Sequence, residues 1–263
     1  MLALDLSFGA ATVTPAWCAA RAAEGCGLLI AGAWTGNRSP AGVEAALRYA
    51  REAGMLIAAY YVPHAFRTPD RHLASARGAI GGEWPNLQFV ALDVEDIGSG
   101  DPMPAQWTGE QLRVSAKLVT AARQLPIIYT NNGAWAPAGL GTAFAHLPLW
   151  KANYPSDPAS AYPPDLTADF GGWTACVGHQ RQRTHDVDGV ACDLSEFDDT
   201  WLPGAQHSDE PPPAGDAARA NAANVAWGVG AALLGPARLT RQNRNSWGAQ
   251  LQDVARYING AAG

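Results

Sequence analysis

The sequence predicts an α/β fold, an irregular (β/α)8-type barrel with a short helical appendage at its C-terminus. Short apolar runs rich in Leu, Ile and Val alternate with segments of helical period, which is typical of a parallel sheet covered by helices. There are eight such runs, and eight parallel strands favour closure into a barrel. The alternative fold is an open doubly wound sheet, which is not supported because no Gly-rich phosphate loop follows the first strand.

The predicted strands are short apolar segments bounded by polar residues, Gly or Pro. The connections after residue 130 are rich in Gly and Pro, so we expect few helices in the second half of the barrel. Closure would make the first and the eighth strand neighbours. The strands cover residues 2–7, 28–34, 55–62, 87–95, 125–130, 147–152, 173–180 and 189–195.

The helices between the early strands carry start and stop signals. Ser39 before Pro40 predicts the start of one helix, and Gly54 predicts its end. Thr68 before Pro69 repeats the start signal ahead of the fourth strand. The first of these helices should bury one face, which is formed by Val43, Leu47 and Ala50.

The character of the chain changes near residue 205. Residues 1–204 form the predicted barrel, and residues 205–216 are polar and rich in Pro, a composition typical of a linker. Residues 217–263 hold two predicted helices, which bury little surface alone. We therefore expect this segment to dock on the barrel or, as we favour, on something outside it. The second helix has an apolar stripe of Trp247, Leu251, Val254 and Ile258.

The composition narrows the classes of partner. The net charge is −6 and the basic residues are scattered, which argues against a nucleic-acid partner. Ten Trp residues mildly favour a carbohydrate ligand, because aromatic faces also stack on sugar rings. The longest apolar stretch, residues 225–235, is too short to span a bilayer. The N-terminal residues lack the pattern of a signal peptide, so neither a membrane span nor an export signal is expected.

The four cysteines are Cys18, Cys26, Cys176 and Cys192. None of them lies in a C-x-x-C pair, so neither zinc nor redox chemistry is indicated. Buried free thiols are expected, and a bridge between Cys176 and Cys192 stays open.

Acidic residues end the predicted fourth strand in the segment FVALDVEDIGSG, residues 89–100. Side chains alternate along a strand, so Asp93 and Glu95 point to the same face, roughly 6–7 Å apart along the strand. Asp5 lies near the end of the predicted first strand, and Asp193 lies near the end of the eighth. Because the C-terminal ends of parallel strands surround one mouth of a barrel, these carboxylates are expected to meet there.

Each acid taken alone has plainer explanations. A single D-x-E pair is a weak signal in a chain with 24 acidic residues, and most acids are solvated strand ends or helix caps. A calcium or magnesium site would also use grouped carboxylates, but neither the spacing of a calcium loop nor a nearby pair of His is present. We therefore expect neither a metal nor an organic cofactor, and an acid/base pair is the sharper hypothesis.

Six short motifs follow one another along the chain, namely LDLS at 4–7, AAYY at 58–61, LDVED at 92–96, IYT at 128–130, LWKANY at 149–154 and VDGVACDLSEF at 187–197. Their order and spacing resemble those of glycoside hydrolase family 25. The members of this family are the lysozymes that hydrolyse the muramic acid linkage of peptidoglycan. The resemblance implies cleavage of the β-1,4 bond between N-acetylmuramic acid and N-acetylglucosamine, and it covers residues 2 to about 202.

The resemblance implies a role for each of the four acids. Glu95 would be the catalytic acid and Asp93 its carboxylate partner, while Asp5 and Asp193 would flank the site. For Trp150 and Tyr154 a place in the barrel core is an equally good interpretation. The chain departs from the usual family residues at Tyr61, Val62 and His179, which can alter the fit to the substrate. The residues expected to line the sugar-binding groove are Tyr60, Tyr61, Tyr129, Trp150, Tyr154 and Gln180.

Glycoside hydrolysis needs an acid that protonates the leaving oxygen and negative charge that stabilises an oxocarbenium-like centre. Neighbouring carboxylates raise the pKa of such an acid, which suits Glu95 beside Asp93. The backbone spacing of the pair leaves three routes open. These are a direct nucleophile, an inverting water and, as we favour, attack by the substrate's own acetamido group oriented by Asp93.

Two other functions stay open. One is a non-catalytic protein that binds wall glycan, for example a phage structural (virion) protein. The departures from the family residues near the third strand and the C-terminal segment favour this alternative. A chitin-directed hydrolase is the weaker alternative, since such barrels also end a strand in D-x-E. A wall-degrading enzyme without an export signal fits a phage lysin made in the host cytoplasm and released to the wall, or one carried on a virion. The C-terminal helices would then serve for attachment or self-association.

Overall fold

The computed structural model describes residues 1–6, 9–36, 38–62, 67–95, 109–154 and 165–202. The chain divides into two units, Met1–Pro211 and Pro212–Gly263, and all of the described residues belong to the first. The predicted linker and the predicted helical segment, with its apolar stripe, lie outside the described residues.

Eight strands form a closed barrel in which each strand lies beside its neighbours in sequence, and the first lies beside the eighth. The predicted eight-stranded barrel is therefore confirmed. The strands are β1 (Leu2–Leu6), β2 (Cys26–Trp34), β3 (Leu56–Tyr61), β4 (Leu87–Val94), β5 (Pro126–Thr130), β6 (Leu149–Ala152), β7 (Gly178–Val187) and β8 (Val190–Phe197). Each pairing from β1 with β2 through β6 with β7 is parallel.

The last strand departs from the prediction. β8 is antiparallel to both of its neighbours, β7 and β1, so the expectation of a parallel strand was wrong there. The cause is a tight turn in which Asp188 and Gly189 connect the paired residues Val187 and Val190. The φ angles of Asp188 and Gly189 are 52° and 80°. Two consecutive positive φ angles fit a two-residue hairpin turn, for which the Asp-Gly sequence is favoured.

Helices cover mainly the first half of the barrel. Within the described ranges, the only helix after β5 is a single turn, which confirms the expected helix-poor second half. The helices are α1 (Pro15–Ala23), α2 (Val43–Glu52), α3 (Pro69–Ile80), α4 (Gly109–Ala121) and the single turn α5 (Asn132–Trp135), with 3-10 segments at Gly9–Thr12 and Gly81–Asn86.

The start of α3 at Pro69 is confirmed, whereas the start of α2 was predicted too early. α2 begins at Val43 because Gly42 before it has a φ of 79°, outside the helical region. A Cβ at Gly42 would lie 2.8 Å from the Cα of Ala11, so the chain passes too close to the first 3-10 segment for any side chain. The predicted apolar face of α2 is buried and consists of Val43, Leu47 and Ala50.

The barrel strands carry two layers of buried side chains. An outer layer lies between the strands and the helices, and an inner layer fills the barrel. In the inner layer, the ring centroid of Phe197 lies 5.4 Å from that of Phe89 and 5.6 Å from that of Trp150. A Cβ at Gly178 would lie 2.5 Å from the Phe197 ring. Only glycine at this position therefore lets β7 pass so close to the ring. Aromatic rings therefore occupy the interior near the N-terminal ends of the parallel strands.

All four cysteines are free and buried, so the predicted buried thiols are confirmed and the bridge between Cys176 and Cys192 is not formed. Burial raises the pKa of the Cys176 thiol to about 11 and that of Cys192 to about 12. Within the described ranges, no helix combines the length and the apolar character that crossing a membrane would require.

Candidate active site

Two of the predicted acids lie at the end of β4. Asp93 is the penultimate residue of this strand, and Glu95 follows its last residue. Asp93 is 3% exposed, whereas Glu95 is half-buried. The Oδ1 atom of Asp93 has no hydrogen-bond partner in the described part of the chain although it is buried. A buried carboxylate oxygen without a partner is costly, which makes it a candidate for contact with a ligand.

The other two acids face each other across β1 and β8. Asp5 and Asp193 are directly paired in the antiparallel register, and Asp5 is 2% exposed. Asp193 therefore reaches the mouth from the middle of β8, not from its end as predicted. Like charges directly opposite each other destabilise a pair of strands, so this arrangement needs either a shared donor or a proton.

Gln180 provides the shared donor. Its Nε2 donates to Asp5 Oδ2 at 2.5 Å and to Asp193 Oδ2 at 3.1 Å. Its Oε1 accepts a hydrogen bond from the Tyr129 hydroxyl at 2.5 Å, and that hydroxyl lies 3.2 Å from Glu95 Oε1. Three of the four predicted acids are thus linked at one mouth through one amide and one phenol.

The pKa values of three of these acids are raised. Burial raises the pKa of Asp93 well above its usual value, and the charges of Glu95 and Asp5 add to this effect. Burial and the charge of Asp193 likewise raise the pKa of Asp5. Burial also raises the pKa of Glu95, with a further contribution from Asp193. A carboxyl group with a raised pKa can hold a proton near neutral pH, as a general acid must.

Aromatic residues form the floor and one wall of the site. Trp150 is 1% exposed, and its ring centroid lies 4.5 Å from that of Tyr129, which favours the core interpretation for Trp150. Tyr60 also lies in the inner layer, 6.5 Å from Trp150 between ring centroids. Tyr154 is 37% exposed, and its hydroxyl donates to Gln180 Oε1 at 2.5 Å. Of these aromatic rings, that of Tyr154 offers the most free surface to a ligand.

Tyr61 does not lie in the groove. Consecutive side chains of β3 point to opposite faces, and Tyr60 occupies the inner one. Tyr61 is fully buried in the outer layer, so its predicted contact with a substrate was wrong. His179 alternates with Gln180 in the same way, and its Nε2 contacts the backbone oxygen of Asn153 at 2.8 Å. Two of the three departures from the usual family residues therefore point away from the mouth.

Two residues near the site were missed in the sequence. The Arg183 guanidinium lies 5.3 Å from the ring centroid of Tyr154, and its charge lowers the pKa of Glu95. No motif marks this arginine. A Cβ at Gly32 would lie 2.7 Å from the Tyr60 hydroxyl, so glycine makes room for that ring. A glycine inside a strand often signals such a close approach, and this signal was available in the sequence.

The comparisons with known sequences cover part of the chain. No protein-family model matches it. Probable GH family 25 lysozyme 3 of Dictyostelium discoideum is 35% identical to it over 95 residues. That alignment spans 34% of the chain and 18% of the relative's length.

Solved structures share the fold. The CTP1L endolysin superposes with a TM-score of 0.61 and 20% identity, over 80% of this chain and 71% of that one. A family GH25 lysozyme from Aspergillus fumigatus superposes with a TM-score of 0.57 and 19% identity, over 75% of this chain and 93% of that one. The resemblance to the family 25 lysozymes is confirmed. At these identities the structures show that this chain and the family 25 lysozymes share a fold.

Proposed function

We propose that the protein is a lysozyme (N-acetylmuramidase) that hydrolyses the β-1,4 bond between N-acetylmuramic acid and N-acetylglucosamine in peptidoglycan. The observation that carries this proposal is the group of acids at the mouth of the barrel, where Asp93, Asp5 and Glu95 all have raised pKa values. The partial match to a curated protein named as a family 25 lysozyme supports the same substrate class.

Glu95 is the general acid in this proposal. It is half-buried at the end of β4, so a ligand can reach its carboxyl group while burial raises its pKa. A protonated Glu95 would donate its proton to the glycosidic oxygen as the bond to the leaving sugar breaks. The charge of Asp193 would favour the protonated form beforehand and stabilise the positive charge that develops on the sugar.

Asp93 fits the role of a partner for the substrate's acetamido group. Its Oδ1 is buried and unpartnered within the described residues. The N–H of an acetamido group would supply the missing hydrogen bond and would aim the carbonyl oxygen of that group at the anomeric carbon. This supports the substrate-assisted route over a direct nucleophile or an inverting water.

Digestion of purified peptidoglycan by the full chain tests the proposal. New reducing ends should appear, and mass spectrometry should find muramic acid at those ends. The variant Glu95→Gln should fold and yield no products, and chitin should not be cleaved. Cleavage of chitin instead would favour the chitin-directed hydrolase. Binding to peptidoglycan without new reducing ends would favour a non-catalytic glycan-binding or virion protein.

We further propose that residues 217–263 dock the protein to the wall, a virion or a second subunit. The apolar stripe of the predicted helix, beginning at Trp247, needs a cover, and a Pro-rich linker suits a segment that reaches outward. The CTP1L endolysin among the solved structures fits a phage lysin released to the wall. A chain ending at Pro203 should lose activity on intact walls but keep it on soluble glycan fragments. Equal losses on both would contradict docking.

A further inference from the structure

The amide of Gln180 is saturated with hydrogen bonds. Its N–H groups point to Asp5 and Asp193, with N···O distances of 2.5 and 3.1 Å. Its oxygen accepts from the hydroxyls of Tyr129 and Tyr154, each at 2.5 Å. A primary amide has two N–H donors and one oxygen with two lone pairs, so all four positions are used. The residue is 2% exposed, and water therefore cannot easily replace these contacts.

The same contacts fix which way the amide faces. Rotation by a half turn would bring its oxygen against the carboxylates of Asp5 and Asp193, where two acceptors would repel each other. It would also remove the acceptor that faces the two phenols. The observed orientation is the one that pairs each donor with an acceptor.

Tyr129 has three oxygen neighbours and a single proton to donate. Its hydroxyl lies 2.5 Å from Gln180 Oε1, 3.2 Å from Glu95 Oε1 and 3.4 Å from the Tyr154 hydroxyl. The Gln180 oxygen carries no proton, so Tyr129 must be the donor in the shortest of these contacts. The contact between Tyr129 and Glu95 is then a hydrogen bond when Glu95 is the donor, that is, in its protonated form.

We propose that Gln180 is a positioning residue that holds the Tyr129 proton, so that Tyr129 offers Glu95 a lone pair and not a proton. The inference rests on the function proposed above, in which Glu95 must be protonated before the glycosidic bond breaks. Gln180 acts on Glu95 through Tyr129, and it keeps the general acid in the protonation state that the reaction needs.

The sign of the effect follows from the direction of the hydrogen bond. A Tyr129 hydroxyl that donates its proton to the ionised Glu95 lowers the pKa of that carboxyl group. A Tyr129 hydroxyl whose proton is held by Gln180 can only accept from the protonated Glu95, which raises that pKa. A change at Tyr129 leaves the charged groups around Glu95 in place, whereas a change at Gln180 also removes the donor that Asp5 and Asp193 share, so the Tyr129 variant is the decisive one. The titratable and charged groups that face Glu95 from the neighbouring elements are Asp5, Asp93, Tyr154, Arg183 and Asp193.

Carbon-13 NMR titration of the Glu95 carboxyl group in the full chain tests the inference without any need for activity. Tyr129→Phe removes the acceptor and should lower the Glu95 pKa. Gln180→Met keeps the length but frees the Tyr129 proton for Glu95, and it should lower the pKa as well. Tyr154→Phe keeps the bond between Tyr129 and Gln180 and is the matched control, with a smaller shift. A rise of the Glu95 pKa in Tyr129→Phe would overturn the inference.

The pH profile on peptidoglycan provides the second readout. The alkaline limb of kcat/KM should move to lower pH in Tyr129→Phe and Gln180→Met, and kcat should change more than KM at neutral pH. Lower activity at every pH without movement of the limb would mean a merely structural role and would overturn the inference. If Gln180→Met does not fold, Tyr129→Phe, which loses a single oxygen, decides alone. If the wild type cleaves no peptidoglycan, the proposed function fails, and the NMR titration still decides this inference.

Discussion

The parallel and the antiparallel parts of the barrel deliver side chains to the mouth in different ways. The end of the parallel strand β4 brings Asp93 and Glu95. The antiparallel hairpin of β7 and β8 brings Gln180 and Asp193 from within its strands, where the register fixes them. Glu95, just after the last residue of β4, is half-buried and within reach of a ligand, whereas a mid-strand residue is held by partners on both sides. The strand end thus supplies the groups proposed to react, and the hairpin supplies the groups that set their protonation.

The largest effect is expected at the strand end. Glu95→Gln keeps the shape of the side chain but cannot donate the proton, so kcat on peptidoglycan should fall at least ~100-fold. Glu110→Gln changes an exposed acid on α4 and is the matched control, with activity unchanged. Reducing-end assays, with thermal unfolding to check the fold, compare the two. Activity near that of the wild type in Glu95→Gln would remove Glu95 from the role.

Asp93→Asn should separate activity from stability. Activity should fall nearly as far as in Glu95→Gln, because the amide carries no charge. The folded-state pKa of Asp93 is raised by burial, so folding takes up a proton, and stability from this group is lost as pH rises from the usual aspartate value through the raised one. The variant should therefore gain stability at neutral pH and not at acid pH. Urea unfolding at both pH values measures this, and an equal effect at both would contradict it.

Asp193→Asn tests how the negative charge that the hairpin of β7 and β8 carries at Asp193 affects Glu95. The charge of Asp193 raises the pKa of Glu95, so its removal should lower that pKa and move the alkaline limb of the activity profile to lower pH. Activity at neutral pH should fall about tenfold for every pH unit by which the limb moves. The measurement is the pH profile of kcat/KM. A limb that stays in place would show that the hairpin does not set the protonation of Glu95.

Arg183→Gln should shift the same limb in the opposite direction. The positive charge of Arg183 lowers the pKa of Glu95, so the variant should work to higher pH than the wild type. The shift should be smaller than in Asp193→Asn and should shrink with added salt, because Arg183 is exposed and its charge is screened. Profiles recorded at low and high ionic strength provide the comparison. A shift to lower pH would contradict the assigned sign.

The smallest effect is expected at the turn of the hairpin. Gly189 has a φ of 80°, and no atom lies within 4 Å of a Cβ built there. Gly189→Ala therefore causes backbone strain but no steric clash. The free energy of unfolding should fall by about 1 kcal/mol, with unchanged activity of the folded protein. Gly78→Ala in α3 also meets open space but has an ordinary φ, and it should be neutral or stabilising. Loss of activity in Gly189→Ala at full folding would show that the turn itself positions Asp193.

Local patterns predicted most strands and the acids at the end of β4, because apolar runs and side-chain alternation act within a few residues. The seventh strand was predicted at residues 173–180 but covers Gly178–Val187. The direction of β8 was missed although Asp188 and Gly189 form a typical hairpin turn, since the repeating β and α units favoured one more parallel strand. Alternation also shows why the prediction for Tyr61 was wrong, because Tyr60 and Tyr61 cannot both face the mouth.

The network around Gln180 could not be predicted from local patterns. The contact between Gln180 and Tyr129 joins residues 51 apart, and that between Gln180 and Asp5 joins residues 175 apart. Such contacts depend on closure of the barrel and on the register of every strand between them. No motif in one segment of a sequence carries that information.

The rings of Phe89, Trp150 and Phe197 close the barrel beneath the acids, and Gly178 lets β7 pass tightly around them. A polymer therefore cannot thread through the barrel as through a pore. It can only be laid across the rim, and both fragments must leave from the side on which the polymer arrived. The hydrolase proposed above would therefore bind its glycan and release both products at the same mouth, without passing a chain end through the protein.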